Sequence, residues 1–183
     1  MSTDDRTSAI SGTTEEFVAF VHATAPQLHR SALLLTGDHH LAEDLTQATY
    51  ARVFASWRRV QRAGNPVAYT RTILTNTFLS QKRLRRSGET TGRIADIGET
   101  LTERAAGPGT GAHDDPSVRM TLFDALAQLS PTDRAVLVAR YWEDRSTEQT
   151  ARDLGITETA VRTRAKRALE RLRPLVSDLE GIV

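Results

Sequence analysis

At 183 residues the chain can form one domain or two small ones, and its 24 basic residues against 23 acidic give a formal net charge of +1. It has no cysteine, which excludes disulfides, thiolate catalysis and a cysteine-rich zinc site. No apolar run approaches the roughly 20 residues that span a bilayer, and the start, with Asp4 and Asp5, lacks both the basic and the apolar part of a signal peptide, so a soluble, cytoplasmic protein is expected.

Residues 1–13 are polar and small and have no buried-face periodicity, which predicts a disordered leader. Thr13 to Glu16 then spells a capping box. Phe17, Phe20, Val21, Thr24, Leu28 and Leu35 follow at helical spacing, with Pro26 as an expected kink and Gly37 as the stop. Asp38 caps a second helix predicted to reach about Val60. Asn65 as N-cap and Pro66 at the first helical position open a third, to about Arg86.

Charge is segregated along these helices. Residues 1–44 carry seven acidic and two basic groups, whereas Leu45 to Gly88 carries no Asp or Glu and nine Lys or Arg. Tyr50, Phe54, Trp57, Tyr69 and Phe78 are interleaved with those cations. Basic groups mixed with rings suit phosphates and stacked bases, although Tyr50, Phe54 and Trp57 are expected to be core, as aromatics on amphipathic helices usually are.

Residues 87–117 hold six of the chain's 11 glycines, two prolines, and six acidic groups against two basic, a composition that predicts a flexible acidic linker. Gly107 to Gly111 is glycine-rich, but no strand precedes it and no Lys-Ser/Thr follows it, so it is not a phosphate loop.

The second compact segment begins near Val118. Leu122, Leu126 and Leu129 share a helical face, and Ser130, Pro131 and Asp133 start a helix predicted to reach about Trp142. Ser146 and Gln149 form another capping box for a short helix that ends at Leu154 before Gly155, and Thr157 caps a last long helix. Two helices joined by a tight glycine turn are the layout of a helix-turn-helix. On the last helix Val161, Ala165, Ala168 and Leu172 form one stripe, while Thr159, Arg162, Thr163, Lys166 and Arg167 occupy the other side, where they can reach base edges or phosphates in a major groove. The expected fold class is all-α: two small helical domains, over 14–86 and 118–176, with a winged-helix-like helix-turn-helix in the second and a short tail over 177–183.

The run GDHHLAEDLTQATYARVFASW resembles the polymerase-binding helix of bacterial sigma factors, and NPVAYTRTILTNTFLSQKRLRR resembles their adjoining promoter-melting helix. LSPTDRAVLVARYWEDRSTEQTARDLGITETAVRTRAKRALERLR looks like the promoter-reading domain of the same family. Two matches in family order, with nothing sizeable between them, resemble the extracytoplasmic-function (ECF) group, whose members have only domains two and four.

The resemblance implies an initiation factor that binds core RNA polymerase and promoter DNA, without a catalytic site, cofactor or membrane insertion of its own, and leaves room for an anti-sigma factor as a further partner. It places Asp44 and Gln47 at polymerase-contacting positions, with Ala48 departing from the glutamate common among relatives. Asn76 aligns with an asparagine facing the non-template strand at the minus-ten element, beside a basic face around Arg71, Lys82 and Arg83. Thr159, Arg162, Thr163, Lys166 and Arg167 fall on the minus-thirty-five reading helix. Tyr69 stands where relatives often have Trp, Ser80 replaces a commonly acidic residue, and the loop from Val60 to Asn65 is where the family captures a flipped base.

Two other readings remain open at this level. A conventional DNA-binding regulator explains the second domain but not the acid-free stretch in the first. A metal-dependent hydrolase built on His39, His40, Glu43 and Asp44 has only a partial ligand set.

Overall fold

Helix periodicity dominates the chain, and in the computed structural model, which describes residues 3–87 and 116–177 (side chains over 13–85 and 122–174), no strand occurs among the described residues. Helices α1 (Thr3–Thr36), α2 (His39–Ala55), α3 (Trp57–Arg62) and α4 (Pro66–Ser87) form the first unit, and α5 (Pro116–Ala127), α6 (Pro131–Leu137), α7 (Thr147–Leu154) and α8 (Glu158–Ser177) the second. Most of the expected linker, residues 88–115, and the end of the expected tail lie outside the described residues.

Local chemistry sets most of the boundaries. Asp38 accepts from the Leu41 N–H at 2.8 Å, Asn65 from the Ala68 N–H at 2.9 Å and Thr157 from the Ala160 N–H at 3.1 Å, so each cap neutralises a free helix-start donor. Ser146 and Gln149 close a reciprocal capping box, at 3.0 Å and 2.9 Å. Gly155, at φ +63°, occupies the left-handed region that ends α7 and turns the chain into α8.

Three boundaries differ from the sequence expectation. Helix α1 runs through the Thr13 box and upstream to Thr3, with Pro26 inside it. The predicted second helix breaks at Ser56, whose hydroxyl bonds the Arg52 carbonyl at 2.9 Å, leaving α3 as a separate short helix. The helix expected to run to Trp142 is α-helical only to Leu137 and continues as a π-helical turn over Val138–Trp142. The helix-turn-helix also lacks a wing among the described residues, because no strand follows α8 there.

The core is not two separate packages. Leu28, Ala32 and Leu35 of α1, Ala42 and Leu45 of α2, and Leu74 and Phe78 of α4 form one buried cluster that also contains Ala135 of α6 and Val138. A second cluster, of Leu126, Leu129, Val136, Leu137, Ala151, Val161, Ala165 and Ala168, holds α5 to α8 together, and a third joins Val53, Trp57 and Val60. Four threonines of α4 return their hydroxyls to carbonyls one turn back, Thr70 to Pro66, Thr72 to Ala68, Thr75 to Arg71 and Thr77 to Ile73, which lets polar residues sit inside a packed helix.

Candidate nucleic-acid interface

Helix α8 is built to show one face and hide the other. Val161, Ala165 and Ala168 are buried against α5, α6 and α7, and the small alanines let the helices approach closely. The opposite arc presents Thr159, Arg162, Thr163, Lys166 and Arg167, all exposed. Thr159, Thr163 and Arg167 line a shallow groove of about 460 Å³ together with Arg164 and Arg171. Acidic residues temper this face: Glu158 accepts from Arg162 at 3.2 Å, and Glu170 lies 3.9 Å from Lys166. Both pairs are exposed and each contributes little to stability, so these cations can exchange partners for phosphate. Arg164 is committed elsewhere, donating to Asp133 at 2.7 Å across the α6 N-terminus.

On α2, Asp44 and Gln47 are exposed along an outward stripe, with Ala48 half-buried behind them. His39, His40 and Glu43 are exposed near the start of the same helix, with His39 Nδ1 3.6 Å from Glu43. Among the described residues no cluster of three or more His, Cys, Asp or Glu could hold a metal.

Helix α4 divides the four residues assigned to its strand-binding face. Asn76 and Arg83 are exposed, whereas Arg71 and Lys82 are half-buried. Lys82 Nζ sits 5.8 Å from the centre of the Phe78 ring, and burial, with Arg85 and Arg134 nearby, lowers its pKa. Arg71 lies close enough to Glu143 to help hold that carboxylate ionised. The basic face around Asn76 is therefore narrower in this conformation than the sequence implies.

Of the aromatic residues, Trp57 is buried, and Tyr50 is half-buried with its hydroxyl 2.8 Å from Thr24 Oγ1; burial raises the Tyr50 pKa. Phe54 is a correction: it is 51% exposed although it lies within α2, next to the helix end at Ala55, where it packs on one side only. Its ring lies 4.9 Å from Phe17, and with Arg58, Arg59 and Arg62 it borders a groove of about 570 Å³ along α3, which takes up the first half of the loop expected from Val60 to Asn65 and leaves residues 63–65 as the turn into α4.

A polar cluster that the sequence did not single out joins the two units. Arg145, buried, follows Asp144, whose φ of 51° turns the chain after the π segment; aspartate tolerates that left-handed conformation better than most residues do. Its guanidinium donates to Glu143 at 3.2 Å, to Asp153, to Thr72 Oγ1 at 3.0 Å and to the Ala68 carbonyl at 2.5 Å. Burial raises the Glu143 pKa, opposed by Arg145, the Ser31 hydroxyl and Arg71. Arg134 reaches the other unit as well, donating to the Leu35 carbonyl at 2.8 Å, and burial lowers its pKa. Nothing in composition marks these arginines, since a buried and an exposed arginine read alike in sequence.

The geometry fits what the chain is similar to. Residues 20–88 match the family model described as Sigma-70 region 2, and residues 119–172 match the model described as Sigma-70, region 4. The RNA polymerase sigma-E factor of Streptomyces coelicolor is 35% identical over 158 residues, 86% of this chain and 84% of that protein. The ECF RNA polymerase sigma factor SigL of Mycobacterium tuberculosis is 33% identical over 159 residues, 85% of each. Among solved structures, the sigma factor RpoE of Bartonella quintana, in complex with the anti-sigma factor NepR, aligns with a TM-score of 0.66 at 27% identity, covering 89% of this chain and 98% of that one.

Proposed function

Because this chain belongs to the ECF sigma factors of the sigma-70 family and directs promoter-specific transcription initiation by binding core RNA polymerase and promoter DNA, we propose how its surfaces divide that work. Thr159, Arg162, Thr163, Lys166 and Arg167 read the minus-thirty-five duplex, Asn76 and Arg83 hold the melted strand at the minus-ten element, and Asp44 and Gln47 contact core polymerase. Arg71 and Lys82 join the strand-binding face once they are released from their present neighbours.

The observation that carries this reading is the strict two-sidedness of α8. Val161, Ala165 and Ala168 are spent on packing, so the five polar and basic side chains opposite them are exposed to a major groove, Arg162 and Lys166 held only by exposed pairs with Glu158 and Glu170. The groove beside Phe54, with Arg58, Arg59 and Arg62, supports a place for an unstacked base next to α3, since a basic rim and a ring face suit a flipped nucleotide. The domains span about 14–86 and 118–176, and the segment between them tethers them.

The protein acts in the cytoplasm, where polymerase and promoter are, as an initiation factor with no catalytic site or cofactor of its own. An anti-sigma factor is a further partner, a reading supported by the likeness to RpoE in its complex with NepR.

Mixing the purified chain with core polymerase and genomic promoter fragments tests the reading. Discrete transcripts that core alone does not make are expected. Tight DNA binding without association with core would replace it with a conventional DNA-binding regulator.

A further inference from the structure

Arg164 of α8 is held differently from Arg162 and Lys166. Its Nη1 donates to Asp133 Oδ1 at 2.7 Å, from α8 to the first turn of α6, and the arginine and aspartate side chains are 42% and 16% exposed. Asp133 is itself fixed. Its Oδ2 accepts from the Ser130 hydroxyl at 2.7 Å, and its backbone N–H donates to the same Ser130 oxygen at 3.2 Å, so the N-cap of α6 sets where the carboxylate points. Arg162 and Lys166, by contrast, pair with exposed carboxylates one turn away on their own helix.

The pair stands in the wall of a surface assigned to DNA. Asp133 and Arg164 line the groove of about 460 Å³ that Thr159, Thr163, Arg167 and Arg171 also line. Among the described residues that line it, Asp133 is the one carboxylate. A carboxylate there acts against phosphate in two ways: it repels the anion, and it occupies a guanidinium that would otherwise meet one. Because Asp133 is partly buried and anchored by Ser130, water and salt screen its pairing less than they screen the exposed pairs of Glu158 and Glu170. Phosphate therefore displaces Glu158 and Glu170 more easily than it displaces Asp133.

We propose that Asp133 withholds Arg164 from the DNA backbone and so limits the sequence-independent affinity of the second unit for duplex; this rests on the assignment of α8 to the minus-thirty-five duplex above. Phosphate contacts give affinity for any duplex, whereas contacts to base edges give preference. Keeping one cation off the backbone therefore lowers affinity without lowering discrimination. The gain is functional, because non-promoter duplex far outnumbers promoter sites and would titrate a chain that bound it through one more arginine.

A double-mutant cycle tests this, with the full chain titrated onto a labelled promoter duplex and a random-sequence duplex of equal length over a range of salt concentrations. Asp133→Asn keeps the shape of the side chain and removes its charge. It should tighten binding to both duplexes, by up to roughly eightfold at about 0.1 M salt, and steepen the plot of log K against log salt by about 0.9, the value of one more phosphate contact. Arg164→Gln alone should reduce the slope by less than half of that amount, because its cation is already spent on Asp133. Added to Asp133→Asn, it should cancel the gain, so the two changes are non-additive.

Weaker duplex binding by Asp133→Asn, shown to be folded by circular dichroism, would overturn the proposal and make Asp133 a residue that positions Arg164 for DNA. A slope reduced by about 0.9 in Arg164→Gln would overturn it as well, since Arg164 would then meet phosphate in the native chain. A merely structural pair would lose thermal stability with no steepening of the slope, which also sinks it. If Asp133→Asn loses helicity, the slope of Arg164→Gln alone decides. Arg162→Ala is the control for the assignment of α8. If it weakens promoter binding while the cycle is additive, only the withholding fails and α8 remains the reading helix; if neither it nor the cycle alters duplex binding, the assignment of α8 fails and the proposal falls with it.

Discussion

Arg145 Nε donates to Glu143 Oε2 at 3.2 Å, with the two side chains only 9% and 2% exposed. Ser31 Oγ and the other Glu143 oxygen lie near each other without either completing a hydrogen bond of good geometry. Glu143 is therefore a carboxylate held in place chiefly by one guanidinium, and burial prevails by pushing its pKa up.

This gives a pH dependence with a definite sign. A carboxyl group whose folded pKa is above its unfolded value binds protons more readily when folded, so stability falls as pH rises from the ordinary carboxylate range through the raised folded value. The unfolding free energy of the native chain minus that of Glu143→Gln should decrease across that window and level off above it. A difference that stays flat with pH would remove Glu143 as the source.

Arg162→Ala should weaken binding to minus-thirty-five duplex and relax sequence preference, by about 1–3 kcal/mol if the contact is a bidentate one to a base, and less if it is to phosphate. Its present partner, Glu158, is an exposed i,i+4 neighbour that contributes too little to confuse the result. Equilibrium binding to a panel of single-base promoter variants checks this, and an unchanged preference would move Arg162 to a phosphate role.

Asn76→Ala should leave upstream duplex binding intact and reduce strand opening, because Asn76 is exposed and its loss creates no cavity. Permanganate reactivity of unpaired thymines measures opening, and activity should recover on a pre-melted template. Equal loss on both templates would reassign the residue to packing.

Asp44→Lys should weaken association with core polymerase by about tenfold, equivalent to about 1.4 kcal/mol. Asp44 is exposed on α2, so the fold and the upstream duplex binding of α8 should not change. Competition for core against the native chain is the measurement, and parity would place the contact elsewhere on α2.

Gly155→Ala should destabilise the second unit by about 1–2 kcal/mol through backbone conformation alone. At φ +63° an added Cβ meets no atom within 4 Å, so the cost is not steric contact with neighbours. Ser146→Ala should cost about 1 kcal/mol by removing the α7 cap. Thermal unfolding with a non-additive or negligible loss would show that the turn is remade in the variant.

Local chemistry made most of the fold legible in sequence. Asp38, Asn65, Ser146, Gly155 and Thr157 mark helix ends because each satisfies or releases a backbone group within three or four residues of itself, and α8 shows its buried stripe because 3.6-residue periodicity needs no knowledge of what covers it. The Ser56 break was harder to see, since a serine inside a helical pattern can bond back to a carbonyl and either continue the helix or end it. What covers each face was decided by tertiary structure alone. Ala135 and Val138 join the cluster of α1 and α4, and Arg145 meets Ala68 77 residues earlier in the chain. Periodicity tells that a face is buried and composition tells that a residue can carry charge. Whether an arginine faces a phosphate in solution or a carbonyl in a closed interface depends on which distant surface reaches it first, and no local pattern encodes that.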